Sequence, residues 1–437
     1  MKEITIIGGG LAGVEATWQI LKRGGKVRLY EMKPEKFSPA HRFPHLAELV
    51  CSNSFKNRSI ENASGLLKEE MKLFDSIVME SAEKFSVPAG AALAVDRDKF
   101  SEYITEKLMS QKGFELLRQE LTEIPSQGIV IIATGPLTSD PLAKAIENLT
   151  GSEHLYFYDS IAPVIYADSI NLKIAFRQSR YERGDGDYLN CPMDKKEYER
   201  FYNALIKAEL VPYREFEQPK FFEGCLPIEE MAKRGFMTLC YGPMKPKGLI
   251  DPRTGKEPFA VVQLRQEDRS AELYGMVGFQ TRLKYPEQER IFRMIPGLEN
   301  AEFARLGSMH RNTYINSPEL LNPDLSLKKD PRLFFAGQLT GVEGYLESAS
   351  CGISAGIYAL FRAYDKDPIL IPKETIIGSL LNYVSTPKSR EFVPINANWG
   401  ILPETEIKLR KGNRRKYLAK RALESLQNYL IKLQNSF

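Results

Sequence analysis

Lys2-Glu-Ile-Thr-Ile-Ile-Gly-Gly-Gly-Leu-Ala-Gly13 runs from a short apolar strand straight into a glycine-rich turn. Gly8, Gly10 and Gly13 fit G-x-G-x-x-G, with Gly9, Leu11 and Ala12 between them, and Val14 to Lys22 reads on as a helix. Gly8 permits a tight turn, Gly10 lets a pyrophosphate approach the backbone, and Gly13 lets the helix pack closely on the strand. The helix N-terminus then turns unpaired N–H groups and a favourable dipole toward the phosphates. A second strand, Lys26-Val-Arg-Leu-Tyr-Glu31, ends in a carboxylate roughly 20 residues beyond the glycines, the spacing of a ribose ligand. Glycines alone would fit an ordinary turn. Strand, glycines, helix, strand and terminal acid in order predict a Rossmann-like dinucleotide-binding domain.

Further along, the same domain returns in pieces. Gly128-Ile-Val-Ile-Ile-Ala-Thr-Gly-Pro136 reads as a buried strand that ends at Ala133-Thr-Gly135. Arg332-Leu-Phe-Phe-Ala-Gly-Gln-Leu-Thr-Gly341 reads as another, followed by a Gly- and Ala-rich helix from about Glu347 to Tyr364. This layout resembles flavoproteins of the glutathione-reductase class, which implies bound FAD. In that class the late strand usually ends in Gly-Asp; here it ends in Gly337-Gln338, which lacks the carboxylate that usually contacts the ribityl chain. The positive end of the helix near Glu347 is expected to face the flavin pyrimidine.

Between the two halves, alternating segments such as Ala260-Val-Val-Gln-Leu-Arg265 predict a mainly β insertion flanked by helices. The expected architecture is α/β: an FAD-binding domain over 1–154 and 325–437, interrupted by an α+β substrate domain over 155–324. No second G-x-G-x-x-G follows a strand, and Gly184-Asp-Gly186 lacks one before it. One dinucleotide therefore has a dedicated fold, and NADH or NADPH is expected to dock transiently.

The 437 residues are 43% apolar and 27% charged, an ordinary globular composition. No apolar run approaches the roughly 18 residues of a membrane helix, and the N-terminus enters a strand directly, so a cytoplasmic soluble protein without signal peptide is expected. The net charge of +4 does not by itself imply nucleic-acid binding. Its distribution is more telling: Lys408, Arg410, Lys411, Arg414, Arg415, Lys416, Lys420 and Arg421 follow one another with no acid between them. Leu418, Ala422, Leu426, Leu430 and Leu433 then recur at helical spacing, predicting a terminal helix docked by one face. The basic side is either a phosphate-binding surface or an ordinary solvated face. Five scattered cysteines (Cys51, Cys191, Cys225, Cys240 and Cys351) form no Cys-x-x-Cys and argue against a disulfide framework, a zinc site and a redox dithiol. His41 and His45 are four apart, but Pro44 disfavours a helix that would pair them on a metal.

Six segments go beyond a generic flavin fold: Leu49-Val-Cys-Ser-Asn-Ser-Phe55, Glu223-Gly-Cys-Leu-Pro-Ile-Glu-Glu-Met231, Tyr241-Gly-Pro-Met-Lys-Pro246, His310-Arg-Asn-Thr-Tyr-Ile-Asn316, Gly337-Gln-Leu-Thr-Gly-Val-Glu-Gly-Tyr-Leu-Glu-Ser348 and Asn396-Ala-Asn-Trp-Gly400. Together, in this order and over nearly the whole chain, they closely resemble the TrmFO family of folate- and FAD-dependent tRNA (uracil-5-)-methyltransferases. The chain is also similar to the larger tRNA-modifying flavoprotein MnmG (GidA), but without room for its long C-terminal extension.

The resemblance implies methylation of the T-loop uridine (U54) in the T-arm of tRNA to 5-methyluridine. The carbon would come from 5,10-methylenetetrahydrofolate and the electrons from FAD and NAD(P)H, with no obligate protein partner and no membrane. Cys51 and Cys225 match the family's functional cysteines. Uracil C5 is a poor nucleophile until a thiolate adds at C6, a role given to Cys225; Cys51 would remove the C5 proton or hold a flavin-methylene adduct. FAD contacts fall on Gly8, Gly9, Gly10, Leu11, Ala12, Gly13, Glu31, Gly135, Gly337 and Gln338. Tyr345 would stack a pterin against the flavin, with Glu343 or Glu347 on the pterin edge; an ordinary core tyrosine is the alternative. Asn396 and Asn398 either cap a turn or bond a ligand.

From physics alone Cys351 competes, because a helix N-terminus lowers a thiol pKa; only the resemblance makes it a packing residue, along with Cys191 and Cys240. The target base must leave its stack to be reached, and Lys245, Lys247, Arg253 and the C-terminal run are the candidate phosphate contacts. Rival readings are a wobble-uridine modifier like MnmG, a small-molecule flavin oxidoreductase, and an RNA-binding flavoprotein with no chemistry.

Overall fold

The computed structural model describes residues 3–152, 155–180, 186–212, 221, 226–387, 391–405 and 411–436, without the side chains of 411 and 412. Strand β1 (Ile4–Ile7), helix α1 (Leu11–Leu21) and strand β2 (Val27–Glu31) form the opening unit. β1 is the inner strand of a six-stranded sheet, parallel to β2 on one side and to Ile129–Ile132 on the other. Phe114–Arg118 extends the sheet beyond β2. Asp330–Phe335 returns across some two hundred residues to pair in parallel with Ile129–Ile132. All four residues of Ile129–Ile132 are buried, the continuous apolar run expected of a parallel strand covered on both faces.

Helix Tyr345–Ala363 lies directly against α1. The contact is possible only because Gly352 and Gly356 are glycines. A Cβ at Gly352 would sit 2.1 Å from the Ala12 carbonyl oxygen, and one at Gly356 would sit 2.7 Å from that of Ala16. Small residues on both helices bring the backbones together, so the late helix is tied to the glycine-rich turn itself.

A second, antiparallel sheet has the order Phe176–Arg177, Tyr188–Met193, Ala260–Gln266, Leu273–Met276, Val164–Tyr166, Phe303–Arg305. Its inner face meets helices Lys195–Ile206 and Tyr285–Phe292 in a separate core that includes Tyr198, Phe201, Phe279 and Phe292. A two-stranded ribbon, Leu155–Ser160 against Met309–Tyr314, carries the chain out to this sheet and back. The last helix, Lys411–Gln434, docks through Leu418, Ala422, Leu426, Tyr429 and Leu433, with Leu430 packed at the margin. None of the helices among the described residues is long and apolar enough to cross a membrane.

Candidate functional site

A cleft of about 1020 Å³, counting the open space at its mouth, lies at the C-terminal ends of the parallel strands. Gly8 to Ala12, Glu31, Ala133 to Gly135, Gly337, Gln338, Tyr345 and Ser348 are among its lining residues. The three glycines of the motif are distinct in their surroundings. Gly8 has φ +100°, and a Cβ there would strike the Ala133 carbonyl at 2.6 Å. A Cβ on Gly13 would meet the Gly8 carbonyl oxygen at 1.9 Å, so Gly13 seats α1 on β1 and lies behind the cleft wall. A Cβ on Gly10 would meet nothing within 4 Å. Gly9 has its own reason to be glycine, since a Cβ would lie 2.8 Å from Glu31 Oε2.

Glu31 is held where it stands: its two carboxylate oxygens accept from Gly9 N at 2.9 Å and Lys33 N at 3.0 Å. Gly10 caps α1 without any side-chain hydrogen bond. The first-turn N–H groups are thus left to whatever enters the cleft. Gln338 donates through Nε2 to Glu343, which is buried; burial first, then Asp159 and Glu347, raise the Glu343 carboxyl well above the usual range. Glu347 pairs with Lys56 at 2.9 Å and accepts from Ala397 N, while its Oε2 is buried without a partner. Glu343 and Glu347 therefore sit among protein groups behind the cleft, next to Tyr345. Asn398 accepts from Gly400 N at 2.9 Å and its amide donates to Asn396 O, so it caps the turn at Trp399–Ile401.

Tyr345 joins two cavities. Its ring lines the cleft and packs on Phe55, with centroids 5.7 Å apart. Its hydroxyl oxygen accepts from Cys51 N at 2.8 Å and Ser52 N at 3.1 Å. On the far side of that loop lies a second cavity of about 540 Å³. Its lining brings together Cys51 and Arg97 with Arg265, Glu267, Gly278 and Arg305 from the antiparallel sheet and its loops. Arg97 donates to the carbonyls of Leu49 and Cys51, and Arg305 to those of Val50 and Cys51. Glu267 takes Arg97 at 2.7 Å, and Arg265 donates to Asn53 Oδ1. Desolvation pushes the Cys51 thiol up to about 12, helped by Asp159 and Glu343 and opposed by Arg305 and Arg97.

The chain is similar to known proteins over nearly its whole length. The family described as glucose inhibited division protein A matches residues 3–367. The chain is 55% identical over 428 residues, 98% of each chain, to the methylenetetrahydrofolate–tRNA-(uracil-5-)-methyltransferase TrmFO of Heliobacterium modesticaldum. It is 57% identical over 433 residues, 99% of each chain, to the protein of the same name from Citrifermentans bemidjiense. The chain belongs to the TrmFO family. Among solved structures, GidA of Aquifex aeolicus superposes with a TM-score of 0.69 at 18% identity, over 99% of this chain and 75% of that one. At that identity the likeness shows the shared α/β fold.

Of the residues given as FAD contacts, Gly8, Gly9, Gly10, Leu11, Ala12, Glu31, Gly135, Gly337 and Gln338 converge on one cleft, and Cys51 stands one tyrosine away. Cys225 lies outside the described residues, as do Lys408 and Arg410. Cys351 is a packing residue, as the resemblance implied, and not the activated thiol that a place at a helix start would make it. The helix begins at Tyr345, so Cys351 is nearly two turns inside it and 1% exposed. Burial raises its thiol to about 11, against hydrogen bonds from the Gly337 backbone and the Thr340 side chain. Arg253 is already bound to Asp251 at 2.8 Å, while Lys247 is exposed. Arg414, Lys416 and Lys420 are exposed on the terminal helix, and Arg421 is turned inward to donate to Pro403 O. Sequence reasoning missed Arg97, Arg265, Glu267 and Arg305. They stand on three stretches of chain, around 97, 265–267 and 305, with no common spacing, so nothing short of the folded sheet brings them together.

Proposed function

We propose that this chain methylates C5 of the T-loop uridine of tRNA, with 5,10-methylenetetrahydrofolate as carbon donor and FAD with NADH or NADPH as the source of electrons. The relatives' shared name, at 55% and 57% identity over nearly the whole chain, supports the reaction. The observation that carries it in the structure is the joint at Tyr345, which sets a cysteine loop against a dinucleotide cleft.

The cleft fits FAD: the side-chain position of Gly10 opens into free space, the first turn of α1 has uncapped N–H groups, and Glu31 is fixed at the rim. Gly8 to Ala12, Glu31, Gly135, Gly337 and Gln338 would hold the cofactor, with Gly13 seating the helix that meets its phosphates. When bound, FAD supplies the hydride that completes the methyl group. The protein's own residues do the rest. Thiolate addition by Cys225 at uracil C6 pushes electron density to C5 and makes it nucleophilic; Cys51 takes the C5 proton once carbon is bonded there. Tyr345, on the cleft wall, would stack the pterin, with Glu343 or Glu347 behind it as the candidates for the pterin edge. The exposed cations of the terminal helix and Lys247 supply phosphate contacts outside the reacting pocket.

The test is one-carbon transfer from labelled methylenetetrahydrofolate to unmodified tRNA with NAD(P)H, and mapping of the labelled nucleoside. Label in T-loop 5-methyluridine is expected; no label from protein carrying reducible FAD would overturn the reading. Cys225→Ala should keep bound flavin yet lose both methyl transfer and the covalent RNA adduct.

A further inference from the structure

We infer that Arg305 and Arg97 are positioning residues for Cys51, fixing its loop through three successive carbonyl oxygens and supplying the positive field in which its thiolate forms. The loop is held from both sides. Tyr345 takes the N–H groups of residues 51 and 52, and the two guanidinium groups take the carbonyls of residues 49, 50 and 51. Every one of these bonds is to backbone. The Cys51 side chain is left to face the second cavity, unused in the scaffold that aims it. Each guanidinium spans two of the three carbonyls, Arg97 those of Leu49 and Cys51 and Arg305 those of Val50 and Cys51.

The charge balance points the same way. Three guanidinium groups, Arg97, Arg265 and Arg305, line this cavity with one carboxylate, Glu267. Glu267 binds Arg97 closely and lies 3.7 Å from Arg265. Among the described residues no carboxylate lies within ion-pair distance of Arg305, and its Nε is buried without a partner. Burial and the neighbouring Arg97 lower the Arg305 guanidinium to about 10, while Glu267 and Cys51 pull it back up. A thiolate at Cys51 is the local anion that would offset this charge. Asp159 from the ribbon and Glu343 before the late helix act against it, and Tyr345 faces it as a neutral phenol whose own ionisation burial disfavours.

The inference rests on Cys51 acting in the proposed reaction, but its test does not require methyl transfer. Flavin-loaded full-length protein would be treated with iodoacetamide between pH 7 and 10, and alkylation of the Cys51 peptide followed by mass spectrometry. At pH 9, Arg305→Met should slow Cys51 alkylation about tenfold at unchanged flavin content, since one unit of thiol pKa is tenfold in thiolate. Arg305→Lys, which keeps the charge, should stay within about threefold of wild type. Glu267→Gln, which removes the competing carboxylate, should speed the reaction. A structural clamp alone would give the opposite pattern, with looser loops reacting faster. Wild-type or faster alkylation in Arg305→Met overturns the inference, as does Arg305→Lys as slow as Arg305→Met. Should Arg305→Met not fold, Glu267→Gln decides, and an unchanged or slower rate overturns it. Methyl transfer measured on the same samples separates the two readings: altered Cys51 reactivity with unaltered methylation would sink the role of Cys51 and leave the arginine field standing.

Discussion

Two alanine substitutions three residues apart should fail for opposite reasons. At Gly13 the new methyl would stand 1.9 Å from the Gly8 carbonyl oxygen, more than an ångström inside ordinary contact, and 3.6 Å from Ile6 Cγ2. The obstacle is backbone, so α1 must lift from β1, and α1 is itself wedged against Gly352 and Gly356 of the late helix. Overpacking of this kind costs about 2–4 kcal/mol. At a slope of about 3 kcal/mol/M, the urea midpoint of the flavin-free protein should fall by roughly 1 M. At Gly10 the backbone is φ −75°, ψ −173°, open to any residue, and the methyl meets nothing. Flavin-free stability should move by less than about 1 kcal/mol, the usual gap between Gly and Ala at an N-cap. The methyl instead occupies the space by which phosphates reach the helix N-terminus. A steric cost of about 2 kcal/mol there weakens FAD about thirtyfold in a fluorescence titration. Native FAD affinity in Gly10→Ala, or a wild-type urea midpoint in Gly13→Ala, would refute the assignment of these two roles.

Tyr345→Phe removes the acceptor for Cys51 N and Ser52 N; each orphaned N–H costs about 1–2 kcal/mol, so the melting temperature should drop and methyl transfer fall with flavin still bound. Glu15 and Glu70 are fully buried, and burial raises them to about 7 and about 8. An acid raised on folding favours the neutral form, so its stabilising effect is full below its unfolded pKa near 4.5 and is lost as pH climbs through 7 to 8. Thermal midpoints should therefore decline from pH 5 to 8.5, and Glu15→Gln with Glu70→Gln should flatten that decline; an unchanged slope would sink the attribution. Reversing the charge of Arg414, Lys416 and Lys420 on the terminal helix should raise KM for tRNA more than it lowers kcat. The salt dependence of binding should become shallower by just under one unit for each phosphate that no longer meets a cation.

What the sequence made legible was whatever depends on neighbours in the chain. The G-x-G-x-x-G turn specifies its own geometry, so the roles of Gly8, Gly10 and Gly13 can be read from spacing, and the strands at Ile129–Ile132 and Asp330–Phe335 announce themselves as apolar runs. What it hid depends on partners far away. Cys351 reads as an activated thiol when its helix is started at Glu347. One more half-turn at the N-terminus and complete burial move it into the core, where desolvation raises its thiol. Gly9 reads as an FAD contact, and only the fold, which puts Leu46 Cδ2 at 2.5 Å and Glu31 Oε2 at 2.8 Å from a Cβ there, shows why no side chain fits. The arginines of the second cavity are the extreme case, since Arg97 and Arg305 are 208 positions apart and meet on one loop.

That loop also links the glycine-lined cleft to the inserted sheet. Residues 49–52 are anchored by Tyr345, whose helix is fixed to α1 by Gly352 and Gly356, and α1 begins at the glycines of the cleft. A ligand that orders the first turn of α1 therefore steadies the same pair of helices that positions the Cys51 backbone. Arg97 and Arg305 complete the hold from the other side, and Arg305 belongs to the antiparallel sheet. The thiol is thus set only when the parallel sheet, the late helix and the inserted sheet are all in place. An isolated nucleotide-binding half would lose the Arg305 clamp while keeping its glycine cradle, so flavin binding and cysteine positioning are separable in principle and coupled in the intact chain.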